Sequence, residues 1–262
     1  MQKVKTILLW SVLIAYMIVA LGFSTERREK VICNTIEINI SGDAMNRFID
    51  KHDIEKMLEN YKYKIIGKPI DSVNTLLTEV LIGKNLVVKK ATAYITIDGR
   101  LNIIVEQRHP IVRIINERMQ NYYIDEEGYV IPVYRQYTAF TLVANGHIAE
   151  PFDVTIGKNI FPNNKDNIIR PNIIYDIYKT AKYIDENDFW RSQIQQIYIN
   201  EKQNMILTPR VGSHSIILGK SDDIDLKFRK LKAMYRTFNV IGWNKYKIIN
   251  LKYKDQVICI KR

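Results

Sequence analysis

The chain has 262 residues, 47% of them hydrophobic. That suits one large or two modest packed domains and excludes a disordered chain. Net charge is +11, and +10 of it falls between Leu226 and Arg262, where eleven Lys/Arg face one acid, Asp255. Such a basic end suits an acidic partner, an anionic surface or nucleic acid; a solvated basic face is the plain alternative.

In chain order, "ILLWSVLIAYMIVALGF" (Ile7–Phe23) comes first, 17 residues without a charge. As a helix it is about 26 Å long, at the short end for a membrane span. It reads as an uncleaved single-pass anchor, with a short tail ahead of it. A cleaved signal peptide ending near Ala20-Leu21-Gly22 is the competing reading. Arg27, Arg28 and Lys30 outnumber Lys3 and Lys5, so charge leaves the orientation open. The short N-terminal tail favours export of the long remainder.

"CNTIEINI" (Cys33–Ile40) alternates as a half-buried strand does. "KHDIEKMLEN" predicts a short helix capped near Asp53. "IDSVNTLLTEVLIGKN" predicts a second, capped by Asp71 or Ser72, with Leu76, Leu77, Val80 and Leu81 as its apolar stripe and Gly83 as its stop. Next, "LVVKKATAYITIDGRLNIIVEQRHPIVRI" predicts a hairpin turning at Asp98-Gly99. After Pro110 come short strands, with turns at Glu127-Gly128 and Asn145-Gly146, then a loop over 150–172. "NIIYDIYKTAKYIDEN" is amphipathic, with Ile173, Ile177, Ala181 and Ile184 in register. Three short strands lead to a helix in "SDDIDLKFRKLKAMYRTF", capped by Ser221, with Ile224, Phe228, Leu231, Tyr235 and Phe238 on one face. Acids open that helix and bases follow, as its dipole favours. The chain ends on a strand, "INLKYKDQVICIKR".

Enzymatic motifs are missing where they would count. "GSHSIILGKS" has His214 where a P-loop needs its first Gly, and a strand where it needs a cradle. His52, His109, His147 and His214 lie apart, without HExxH spacing, and read as surface or turn residues. Asp125-Glu126-Glu127 read as solvated turn acids. Cys33 and Cys259 form no metal-ligand cluster, and spacing cannot decide whether they pair.

The ordered set of elements resembles the bacterial cell-division family FtsQ/DivIB over nearly the whole chain. "IEINISG" is similar to the opening strand of that family's POTRA domain. Val88, Ala91, Glu106 and, one residue late, Pro110 follow its signature. "YYIDEEGYVI" resembles "ID-x-x-G-x-V", and "IILG", the Lys-rich helix and "INLKYKDQV" resemble the end of its β domain. Asn250-Leu251-Lys252-Tyr253 departs from the family's common Asp-Leu-Arg-Tyr, and Asp255 stands near a common Gly.

The resemblance implies an α+β fold in three parts. Residues 1–24 hold the tail and transmembrane helix, 33–109 a POTRA-like β-α-α-β-β domain, and 110–262 a larger strand-rich β domain with two helices. It implies a non-enzymatic scaffold without cofactor, catalytic or metal residues. The scaffold would be single-pass in the inner membrane, with its bulk in the periplasm or outside, at the division septum. Partners would be FtsB/DivIC-like and FtsL-like proteins, with no nucleic acid and no small-molecule substrate. An exported POTRA-containing envelope transport or assembly protein is the alternative. The terminal strand is the expected partner site, by addition of a partner strand; a sheet edge merely blunted by Lys252, Lys254, Lys261 and Arg262 is the plain alternative. Tyr253 is the site's anchor, and Lys252, Lys254, Val257 and Ile258 lie alongside.

Overall fold

The computed structural model describes residues 9–19, 31–42, 47–134, 137–150, 156–161 and 172–262. Residues 9–19 form helix α1, every side chain exposed. Among the described residues no helix is long and apolar enough to cross a membrane. The rest of the expected anchor, 7–8 and 20–23, lies outside the described residues, as do 24–30. The chain divides into two compact units, Met1–Gly42 with Ile49–Gln107, and Asp43–Phe48 with Arg108–Arg262.

In the first unit, β1 (Thr35–Ser41) runs parallel to β3 (Arg100–Gln107), and β3 pairs antiparallel with β2 (Val88–Ile95). The Asp98-Gly99 turn joins β2 to β3. Gly99 has φ +83°, and a Cβ there would meet Ile32 O at 2.3 Å, so only glycine fits. Helices α2 (Lys51–Asn60) and α3 (Thr75–Gly83) lie between β1 and β2 in sequence. Ile38, Ile103 and Ala93 form one buried row across the sheet, and Ile54, Leu58, Leu81 and Ile82 of the helices are buried.

The caps differ from expectation. Asp50 caps α2, with Asp53 as the reciprocal third residue of a capping box. Asn74 caps α3, because Ile70–Ser72 forms a separate turn of 3-10 helix. The expected α3 stripe is largely on the outside: Leu81 is buried, with Thr78 and Ile82, but Leu76, Leu77 and Val80 are exposed. The helix is apolar on more than one side, so periodicity alone could not choose its inner face.

The second unit is built on a nine-stranded sheet, in the order β12-β11-β10-β9-β8-β7-β4-β5-β6. Its strands are β4 (Pro110–Ile115), β5 (Asn121–Asp125), β6 (Val130–Pro132), β7 (Leu142–Gly146), β8 (Ile194–Ile199), β9 (Met205–Pro209), β10 (Ser215–Gly219), β11 (Tyr246–Asn250) and β12 (Ile258–Lys261). β4/β7, β7/β8 and β10/β11 pair parallel; the other neighbours are antiparallel. One row of side chains crosses all nine strands: Pro132, Tyr122, Ile114, Ala144, Ile197, Leu207, Ile216, Ile249 and Cys259.

From Tyr122 to Cys259 that row joins a core formed with α4 (Ile173–Asp185), α5 (Asp188–Gln193) and α6 (Ile224–Ile241). Ile173, Ile177, Ala181 and Ile184 of α4 are buried, as are Ile224, Phe228, Leu231, Tyr235 and Phe238 of α6, as their spacing predicts. The unit has three helices among the described residues, not two. α5 is six residues long, capped by Asn187, and shorter than two turns of periodicity. It brings in Trp190, packed on Phe228 and Tyr235. The start of α6 also differs. Asp223, at φ +45°, is its N-cap, while the Ser221 hydroxyl donates to the buried Asp176 at 2.6 Å.

Candidate partner-binding edge

The terminal stretch is a hairpin rather than one strand. β11 carries the Lys247-Ile248-Ile249 run and β12 the Ile258-Cys259-Ile260 run, and the polar residues between them turn the chain. Leu251, fully buried, donates its N–H to Ile217 O at 2.9 Å and so continues the β10–β11 pairing. Then Asn250 Oδ1 accepts the Lys252 N–H at 3.1 Å, an Asx-type bond that starts the turn. The stem of Lys252 lies across Gly219, which has φ +81°; a Cβ at residue 219 would sit 2.9 Å from Lys252 Cγ. From α6, Lys230 Nζ donates to Tyr253 O at 2.6 Å. This fixes the backbone of the turn and leaves Tyr253 47% exposed.

The five expected residues therefore occupy two places. Lys252, Tyr253 and Lys254 are in the turn. Ile258 is on the edge strand, and Val257 just before it is half-buried against the core. Alternation along β12 sends Cys259 inward, where burial pushes its thiol up from its ordinary value. It sends Ile258 and Ile260 outward, 40% and 52% exposed. Period two in "VICIKR" puts Ile260 on the same outward side as Ile258. Both cysteines are free thiols.

The end of the chain is pinned. Arg262 donates from Nη2 to Ser213 O at 2.6 Å and to the Ser213 hydroxyl, and its N–H donates to Lys245 O at 3.3 Å. Beside Ser213, His214 is a core residue, not a surface one. Its Nε2 lies 3.2 Å from the Tyr235 hydroxyl, its ring packs among Tyr235, Phe238 and Trp243, and its buried Nδ1 has no hydrogen-bond partner among the described residues. Burial, and then the Arg262 charge, hold its pKa below the ordinary imidazole value.

β12 ends the sheet, and among the described residues nothing pairs with its outer side. The opposite end is closed. β6 is flanked by residues 157–160: Val130 N–H donates to Lys158 O at 2.9 Å, Gly157 N–H to Val130 O at 2.8 Å, and Ile160 N–H to Gly128 O at 2.8 Å. The turn beneath is organised by Asp125, which is buried rather than solvated. Its carboxylate accepts from Glu127 N, Tyr129 N and Arg108 Nη1 at 3.0, 2.7 and 2.7 Å. Burial pushes that carboxyl's pKa up, against the pull of Arg108.

Residues 109–260 match the family model described as FtsQ/DivIB, C-terminal related. The chain belongs to this FtsQ/DivIB-related family. Residues 31–106 match a POTRA-like domain. No curated protein matches the chain. The FtsQ/DivIB-type architecture is thus a mixed α+β POTRA-like domain followed by a strand-rich one, both of scaffold rather than enzyme type. In an FtsQ/DivIB-type protein these domains point to a role in cell division exercised through protein–protein contact.

Proposed function

We propose that this chain is a bitopic scaffold of the bacterial division machinery. It is anchored in the inner membrane by the apolar segment 7–23, with its POTRA-like domain, 33–109, and β domain, 110–262, outside the cytoplasm at the septum. It binds FtsB/DivIC-like and FtsL-like partners and organises septal wall synthesis without turning over a substrate.

The open β12 edge carries this reading. A partner strand lying along Ile258–Lys261 takes up unpaired backbone groups as a tenth strand of the sheet. Ile258 and Ile260 give it two apolar contacts, and Tyr253 an aromatic one at the near end of the strand. Lys252, Lys254, Lys245 and Lys247 are all exposed. They attract acidic residues of the partner and speed encounter. Exposed lysines also discourage two β12 edges from pairing with each other.

The test is the affinity of the full chain for an FtsB/DivIC-like extracytoplasmic segment, with Tyr253→Ala and a deletion of residues 253–262 as variants. Both weaken binding. Undiminished binding by a folded Tyr253→Ala chain removes Tyr253 as an anchor, and undiminished binding by a folded deletion removes the edge.

A further inference from the structure

Helix α3 turns three apolar side chains to solvent. Leu76 is 67%, Val80 52% and Leu77 39% exposed. Their spacing of one and four residues places them on one side of the helix. α3 cannot roll to hide them. Its opposite side buries Thr78, Leu81 and Ile82, and the Glu79 carboxylate accepts the Ala93 N–H of the edge strand β2 at 2.8 Å.

This face lies close to where the chain enters the unit. Ile70 N–H donates to Val31 O at 3.0 Å, and Cys33 N–H donates to Lys68 O at 2.8 Å, so the entering chain runs against residues 67–70. Four residues past Ile70 is Asn74, the α3 cap, whose N–H donates to the Tyr63 hydroxyl at 2.9 Å. Ile32, in the entering chain, and Ile66, just ahead of Gly67, are 52% and 54% exposed. From Tyr61 to Lys84 the chain carries four lysines, Lys62, Lys64, Lys68 and Lys84, all exposed, against Asp71 and Glu79.

We propose that the outer face of α3 docks the POTRA-like unit onto the anionic phospholipid surface of the bilayer that holds α1. This rests on reading α1 as part of a membrane anchor. Residues 20–30 separate Val19 from Val31, a span of about 40 Å at full extension. Ile70 to Leu76 adds at most about 20 Å. The tether therefore keeps the face within reach of the headgroups. Apolar side chains flanked by lysines are the composition of an interfacial helix: Leu76, Leu77 and Val80 enter the boundary between headgroups and acyl chains, and the ammonium groups meet lipid phosphates. A protein occupant would need neither this tether nor the lysines that precede and follow α3 in sequence.

The experiment uses the full chain reconstituted in phosphatidylethanolamine/phosphatidylglycerol vesicles, with a photoactivatable diazirine amino acid in place of Leu76 or Val80. Asn39, exposed on the sheet face turned from the helices, is the control position. Adducts of phospholipid mass are expected at 76 and 80 at about fivefold or more over 39, falling severalfold when phosphatidylcholine replaces phosphatidylglycerol. A chain that floats with the vesicles but labels lipid equally at all three positions overturns the docking and leaves the anchor standing. A chain that does not float overturns both. In cells, adducts of protein mass at 76 and 80 instead of lipid also overturn it.

Discussion

At one end of the nine-stranded sheet, β6 buries Val130 and Ile131 and meets residues 157–160 along its outer side, with Phe161 and Ile160 packed over Gly128. At the other end, β12 turns Ile258 and Ile260 to solvent and has lysines at its flanks. An exposed strand edge invites pairing, and proteins generally cover it or charge it. This sheet does the first at β6 and only the second at β12. The two ends of one sheet are thus finished differently, one by backbone pairing and one by charge alone. β12 is held from within by Lys230, Arg262 and the Asn250 turn, and its pairing with β11 shifts register between Ile260 and Lys261.

Mutations can break or sharpen that contrast. The largest effect is predicted for Ile258→Asp with Ile260→Asp, which should weaken binding of an FtsB/DivIC-like segment by about 2 kcal/mol or more, roughly 30-fold in Kd. Both residues are exposed, so the thermal midpoint should hardly move; titration calorimetry and a melt on the same sample check both. At the closed end the signs reverse. Gly128→Ala forces an L side chain to φ +86° and drives a Cβ to 2.7 Å from the Phe161 ring. It should cost about 1–3 kcal/mol of stability and leave binding unchanged. Equal loss of binding in this variant would mean the two ends are not independent.

Smaller effects separate anchor from steering. Tyr253→Ala should cost about 1 kcal/mol of binding, about fivefold. Lys252→Glu with Lys254→Glu should slow association about tenfold at low salt, with the gap closing as salt rises, read by stopped flow. The smallest is a pH effect behind β12. The folded pKa of His214 is depressed by burial and then by Arg262. Its neutral form is therefore the one that fits. The stability it supports is complete above about pH 6.5 and is lost as pH falls from there toward the lower folded value. Denaturant titrations across that window should show the slope, and His214→Phe should flatten it.

Much of this was legible locally. The core faces of α4 and α6 follow from spacing, and the Asp98-Gly99 hairpin from its turn residues. The basic C-terminal end follows from counting. What escaped the sequence depended on partners far along the chain. α3 is apolar on more than one side, and only its packing on β2 and α2 decided that Leu81 faces in and Leu76 out. Asp125 looked solvated because Arg108, 17 residues away, supplies its pair. His214 looked like a turn residue, yet Tyr235 of α6 draws it inside. The candidate edge was half legible: "INLKYKDQVICIKR" showed a strand, but the Asn250 turn that divides it depends on Leu251 pairing with β10. No local pattern shows that residues 157–160 close β6, so the difference between the two edges could not be read at all.

The most direct test is amide hydrogen exchange of the full chain with and without a saturating FtsB/DivIC-like segment. New protection is expected along Ile258–Lys261 and no change at Val130 and Ile131, since a strand added at β12 occupies backbone groups left open there, whereas Val130 of β6 already pairs outward with Gly157 and Lys158. Tight binding with no added protection at Ile258–Lys261 would contradict strand addition at β12.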